Sequence, residues 1–429
     1  MKRRGFVIAG SAAVFSAGLG LWAEAKHGRA ASGQPGLTPH EGELVEDPKG
    51  LLDLRPGFTY RVLQRGGSPM SDGFRVPGRP DAMGCFDLGD GRWALMRNHE
   101  LGKAAGAMSA WAKQPRPPRE AYDAHSHGGV SRVVLDVHGK VLSSNLVLAG
   151  TSRNCAGGMS PWGWLSCEES VEPNHGHVFL CPIDATKVRP ARRIEAYGRF
   201  LHEAVAIDPE DHTAYLTEDR ADGCLYRFVP RDKELPFGVG KLQALAIEGR
   251  PRFALGGDLP QNTKLRVHWL DVPAKEGDSD NLRYAAQERG AAIVVRGEGI
   301  WRLSDGFAFT STTGGPLASG QIFHLAPTRE GGVLRLIAQA NDQRMLDMPD
   351  NLTLTPWGDL MVCEDNNRAP FLRLVTQKGR VLPFAFNRAT KSEFAGVCFS
   401  PDGSLLFVNI QEQNLTLAVE GPWATLRGA

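Results

Sequence analysis

The sequence lacks most of the signatures by which common enzyme classes are recognised. Lys plus Arg number 49 against 48 for Asp plus Glu, so the net charge of +1 gives no field to gather a polyanion. No basic run interleaved with aromatics occurs either, which argues against nucleic acid as a partner. HExxH, HxxxH and CxxC are missing in usable form, and with them the short-spaced zinc sites. The close histidine pairs, His125 with His127 and His175 with His177, read as structural or supporting groups. There is no GxSxG elbow, no P-loop and no GxGxxG ahead of a helix, so serine hydrolase, nucleotide and dinucleotide readings have no support. Helical periodicity is scarce. Beyond the N-terminus no apolar run is long enough to span a bilayer. Cysteine is sparse and odd in number, at 85, 155, 167, 181, 224, 363 and 398, which leaves at least one thiol unpaired in an oxidising compartment.

What is present begins with an export address. Lys2, Arg3 and Arg4 precede an apolar, Gly- and Ala-rich run over 7–21 and a small-x-small site at Ala23-Glu24-Ala25. A paired arginine before a mildly hydrophobic core predicts twin-arginine export of a folded protein. Residues 1–30 are therefore read as a twin-arginine signal peptide, 31–50 as a linker and 51–429 as a single domain. The mature protein is placed in the periplasm or outside the cell, as a monomer with no stable membrane span.

With 42% hydrophobic residues and 50 glycines, the remaining chain can bury a large core but is too loop-rich for a helical bundle. Apolar or β-branched runs bounded by turn residues predict strands at 59–63, 93–97, 131–137, 178–181, 225–229, 292–295, 333–337 and 405–408. A repeat runs through them: a turn with Asp, Pro or Gly, an alternating strand, then a carboxylate or amide. Its copies are LGDGRWALMRNHE (88–100), SPWGWLSCEE (160–169), DPEDHTAYLTED (208–219), SDGFAFTSTTGG (304–315), TPWGDLMVCED (355–365) and SPDGSLLFVNIQ (400–411). This pattern predicts an all-β, six-bladed β-propeller with a metal cluster at one mouth of its central channel. Strands ending at one mouth would bring Asn98, Glu100, Glu168, Glu169, Glu218, Asp219, Glu364 and Asp365 together, and carboxylates so crowded repel unless cations neutralise them.

Other segments add donors. The stretch 151–169, TSRNCAGGMSPWGWLSCEE, sets Cys155 in a polar loop whose Gly157 and Gly158 permit close backbone approach. Cys167, Cys363 and Cys398 lie in apolar runs and read as core. Glu203 stands beside His202 ahead of a strand. Arg296 and Glu298 are two apart, hence on one side of an extended chain, which fits either an ion pair or a division of labour between anion and metal. Asp350 and Asn351 offer two oxygens before a strand, and Glu393 is a reserve candidate. Oxygens in such number suit Ca²⁺, and a single thiol beside them suggests a second, softer or redox-active metal.

Several motifs in fixed order resemble the PhoX family of bacterial alkaline phosphatases: TSRNCAGG with PWGWLSCEE, GRFLHEAVAIDP, YLTEDR, RGEG, STTGG with GQIF, MPDNLTLTPWGDLMVCED and EFAGVCFSPDGSLLFVNIQ. The resemblance covers about residue 50 to 420. It implies twin-arginine export, a six-bladed propeller, a centre of two Fe³⁺ and more than one Ca²⁺, and hydrolysis of phosphomonoesters by an oxide or hydroxide bridging the irons. By the same resemblance Cys155, Glu203 and Glu298 are iron ligands and Arg296 grips the substrate phosphate. Glu168, Glu169, Glu218, Asp219, Asp350, Asn351, Glu364 and Asp365 would serve calcium and the remaining iron contacts, with Asn98 and Glu100 as further members. The chain is shorter than the long phosphatases of the family, which implies reduced loops at the mouth. A calcium-dependent propeller hydrolase of lactonase or diesterase type, or a non-catalytic calcium-stabilised binding propeller, would share the repeat without needing the cysteine.

Overall fold

The computed structural model describes residues 43–272 and 279–427. The chain divides into Met1–Thr38 and Pro39–Ala429. The expected signal peptide and the expected linker up to residue 42 lie outside the described residues. Ahead of residue 51, Val45 bridges Leu54, and Asp47 accepts hydrogen bonds from the backbone of Lys49, Leu51 and Leu52 and from the Tyr60 hydroxyl.

The described chain is all-β and propeller-like, with Leu282–Glu288 as its one α-helix among the described residues. Turns of Asp, Gly and Pro fold the β-branched and aromatic runs into antiparallel meanders. One sheet joins Pro80–Gly89, Arg92–His99, Gly128–Asp136 and Val141–Thr151 in sequence order, and a second joins Asn154–Ser160, Gly163–Glu168, Val178–Cys181 and Arg193–Ile194. A nine-stranded sheet follows, from His202–Ile207 at one edge to Gly297–Leu303 at the other. The last two sheets borrow strands from the start of the chain: Leu52–Leu54 pairs with Val381–Asn387, and Thr59–Arg65 pairs with Leu415–Glu420. Pairing strands from the start of the described chain into the sheets at its end closes the ring of sheets.

The strands Pro80–Gly89, Asn154–Ser160, His202–Ile207, Gly297–Leu303, Pro349–Leu354 and Phe394–Phe399 neighbour one another in that order, and the last returns to the first. They therefore surround a common axis. Each copy of the sequence repeat supplies the turn and the strand that follow one of these inner strands. Between the sheets, side chains such as Trp164, Phe179, Phe307, Phe309 and Phe323 are buried and form the core. Arg97, fully buried, donates to Ser131, Thr416 and Gln64 and so ties the first sheet to the one that closes the chain.

All but one of the expected strands fall in strands. Residues 292–295 do not, because their backbone amides turn to separate segments: Ala292 to Leu245, Ile293 to Phe253 and Val294 to Gly223. No helix among the described residues is long and apolar enough to cross a membrane, which leaves strand-based crossing unaddressed.

Inner strands approach closely where the sequence provides glycine. A Cβ on Gly158 would stand 1.7 Å from the carbonyl oxygen of Val205 on the neighbouring inner strand. Gly158→Ala is expected to cost about 3 kcal/mol or more, since backbone must move to admit it. A denaturant titration showing an unchanged midpoint would contradict this contact.

Candidate metal centre

Two local devices, repeated around the axis, build the site. The first is a β-bulge at the mouth end of five of the six inner strands, seen as a register break between Pro80 and Met83, Asn154 and Gly157, His202 and Val205, Gly297 and Ile300, and Pro349 and Leu352. Bulges re-aim side chains, and the residues freed here are Asp81, Cys155, Glu203, Glu298 and Asp350, followed by Ala82, Ala156, Ala204, Gly299 and Asn351. Four residues just before these strands, Arg79, Arg153, Arg296 and Met348, hold left-handed backbone at φ of 43°, 53°, 50° and 59°. Non-glycine residues adopt that region at a cost, and such strain collects at functional sites.

The second device is a latch. The carbonyls of Arg79, Arg153, Leu201, Arg296, Met348 and Glu393 accept from the backbone N–H of Glu100, Glu169, Asp219, Thr312, Asp365 and Gln411. Each bond joins the residue before an inner strand to the residue after the strand that follows it. The latch thus sets Glu100, Glu169, Asp219 and Asp365 at the mouth where the bulges present their own donors.

Two groups of potential ligand atoms lie within 4.8 Å of one another, Cys155 with Glu169 and Glu203, and Glu203 with Glu298 and Asp350. Glu203 belongs to both. It is fully buried, and neither of its carboxylate oxygens has a hydrogen-bond partner. Burial, then the charges of Glu298 and Glu169, hold its pKa well above the carboxylate range. Burial, joined by Glu203 and Asp365, does the same to Asp350. The Cys155 thiol, 3.7 Å from Asp81 Oδ2, is pushed far up by burial and by Asp81 and Glu203. Without a cation such a set is unfavourable, because each ionised group lacks solvent and faces like charge. A thiol among buried oxygens, one carboxylate wholly unbonded, is the donor chemistry that a metal cluster fits.

Arginines flank this cluster. Arg296 donates Nε to Asp219 Oδ1 at 2.9 Å and Nη2 to Asp219 Oδ2 at 3.2 Å, pairs with Glu298, and lies 3.5 Å from Asp365. Burial opposes its charge, but Asp219, Glu298 and Asp365 outweigh that and raise its pKa. Arg153 pairs with Glu169 at 2.6 Å and Glu100 at 3.2 Å.

The carboxylates read from the repeat divide by position. Glu169, Asp219, Asp365 and Glu100 stand at the mouth, linked to the cluster or its arginines. Glu168, Glu218 and Glu364, one residue earlier, point into their own sheets and belong to neither ligand group. Glu168 accepts from His175, Ser152 N and Gly176 N, Glu218 from Cys224 N and Tyr226, and Glu364 from Arg373, Asp347 N and Phe371 N. Adjacent strand residues face opposite ways, so a pair of neighbouring acids sends one to the mouth and one into a turn. Asn98 donates to Cys155 O and Ala156 O and accepts from Trp164 Nε1 and Ser166, which holds the Cys155 bulge in place. Asn351 accepts from Gly396 N and donates to Asp350.

Asp81 was not singled out in the sequence, yet it is 2% exposed and bonded to Gln411 at 2.7 Å beside Cys155. The signal was an acid or thiol followed by Ala or Gly at the head of an inner strand, as in Cys155-Ala156, Glu203-Ala204 and Glu298-Gly299. Glu393, partly buried, has its pKa raised by burial and then by Asp365. Beneath the cluster the small residues narrow the axis to a cavity of about 20 Å³ lined by Ala82, Ala156, Ala204, Gly299 and Gly396, room for about one water.

A family model described as alkaline phosphatase PhoX matches residues 40–146 and 140–414. Among solved structures, that of Pseudomonas fluorescens PhoX in complex with vanadate, a transition state analogue, aligns with a TM-score of 0.66 at 17% identity, covering 87% of this chain and 96% of that one. A gluconolactonase from Xanthomonas campestris aligns at 0.43 and 11%, over 91% and 99% of the two chains. No curated protein matches the sequence.

Proposed function

Since the chain belongs to the alkaline phosphatase PhoX family, and is a phosphatase on that ground, we propose that it hydrolyses phosphomonoesters at the cluster around Glu203. The ions proposed are Fe³⁺, with Cys155, Glu203 and Glu298 as ligands, and Ca²⁺, with Asp350, Asp365 and neighbouring oxygens. Asp81 joins the ligand set on its position beside Cys155. The observation that carries the reading is Glu203, buried among acids with both oxygens unbonded. Bound there, the ions would supply an oxygen nucleophile at ordinary pH and positive charge against the transition state.

The chain's own groups do the rest. Arg296 presents a planar fork matched to phosphoryl oxygens and turns to substrate once cations share the load of Asp219 and Glu298. The narrowed axis beneath the site keeps bulk water from one side, which strengthens every charge interaction above it. No serine nucleophile or histidine base is required.

We read the nine-stranded sheet as two four-stranded blades bridged by Lys264–Asp271, which gives six blades with the other sheets. The twin-arginine motif supports export after metal loading, to the periplasm or the medium, as a single domain from residue 51. Elemental analysis coupled to assay with p-nitrophenyl phosphate tests the whole reading. About two irons per chain with calcium, and activity abolished by chelation and restored by metal, are expected. Calcium without iron would overturn it in favour of a calcium hydrolase or a binding propeller.

A further inference from the structure

Arg79 and Arg153 are both placed like Arg296, and of the two Arg153 is the one paired to a carboxylate of the cluster. Arg153 and Arg296 each directly precede an inner strand, each in left-handed backbone, and each stands two residues before a donor of the cluster, Cys155 and Glu298. Each guanidinium is one carboxylate removed from Glu203: Arg153 through Glu169, Arg296 through Glu298. Glu203 is therefore linked to both arginines through one carboxylate each. Their exposure differs, since the Arg153 side chain is 26% exposed whereas that of Arg296 is 10% exposed. Glu169 and Glu100, the two acids with which Arg153 pairs, are buried.

Resting on the phosphatase reading, we propose that Arg153 is a second phosphate-contacting residue, which with Arg296 grips the phosphoryl group and so selects dianionic monoesters over monoanionic diesters. A monoester phosphate at neutral pH offers a non-bridging oxygen to each fork while keeping one for metal, whereas a diester has one fewer oxygen and half the charge. Glu169 and Glu100 share Arg153 with substrate, as Asp219 and Glu298 share Arg296.

The test compares metal-loaded wild type with Arg153→Gln and Arg153→Lys. Iron and calcium content, inorganic phosphate affinity by calorimetry, and kcat and KM for p-nitrophenyl phosphate and bis-p-nitrophenyl phosphate are measured. Full metal content in Arg153→Lys, phosphate binding weakened roughly ten- to hundredfold in both variants, and a KM rise confined to the monoester are expected. Unchanged phosphate affinity in Arg153→Gln, or metal lost from both variants, would overturn the proposal, the latter by showing that Arg153 only positions Glu169. If wild type itself neither binds phosphate nor cleaves the monoester, the phosphatase reading has failed, and this one with it.

Discussion

Glu203→Gln is expected to abolish metal retention and lower phosphatase activity by on the order of a thousandfold, while raising the melting temperature of the metal-free protein. The opposite signs have one cause. In the metal-free chain Glu203 is a buried carboxylate with no hydrogen bond, crowded by Glu298 and Glu169, so ionising it or keeping it protonated both cost stability. An amide of the same shape removes the repulsion. It also removes the one residue common to both ligand groups, so neither half of the cluster keeps its full donor set. Ligand binding stabilises by about 2.7 kcal/mol when free metal stands at 100 times its Kd, and the variant should lose that increment. Thermal melts with chelator and with iron plus calcium read both effects. A variant that melts lower than wild type without metal, or still gains stability with it, would contradict the role given to Glu203.

The repeat that made the fold legible also merged acids that the structure places apart. Turn, alternating strand and terminal acid are periodic features, and each copy does supply a second strand ending at the mouth. Periodicity alone could not separate Glu168 from Glu169, Glu218 from Asp219 or Glu364 from Asp365, because only the phase of the strand decides which acid faces the axis. Phase is set by the latch to the Arg153, Leu201 and Met348 carbonyls, a long-range bond with no sequence signature. Asp81 escaped for a related reason. Its partner Gln411 is 330 residues away, joined only because the chain ends close on each other. By contrast Cys155 was conspicuous locally as a thiol beside glycines, though the expected loop is the inner strand Asn154–Ser160, and the close contact that Gly158 makes with Val205 accounts for the glycine there.

Arg296→Ala is expected to lower kcat/KM for phosphomonoesters by about a hundred- to a thousandfold with iron and calcium content unchanged. Arg296 is no cluster ligand, and its fork reaches Asp219, Glu298 and Asp365 through hydrogen bonds or ion pairs alone. Removing it takes the positive charge from buried acids, so the metal-free variant should be less stable by about 3 kcal/mol, the scale for breaking a buried pair. Added metal should restore most of that loss, since cations neutralise the same oxygens. The metal-free stabilities of Arg296→Ala and Glu203→Gln then move in opposite directions although both variants lose activity, which separates a residue that offsets the cluster's charge from one that creates it. Arg296→Lys, retaining charge without a planar fork, should recover stability but only part of the activity. Turnover unchanged in Arg296→Ala would remove this residue from the site and leave its ion pairs as purely structural.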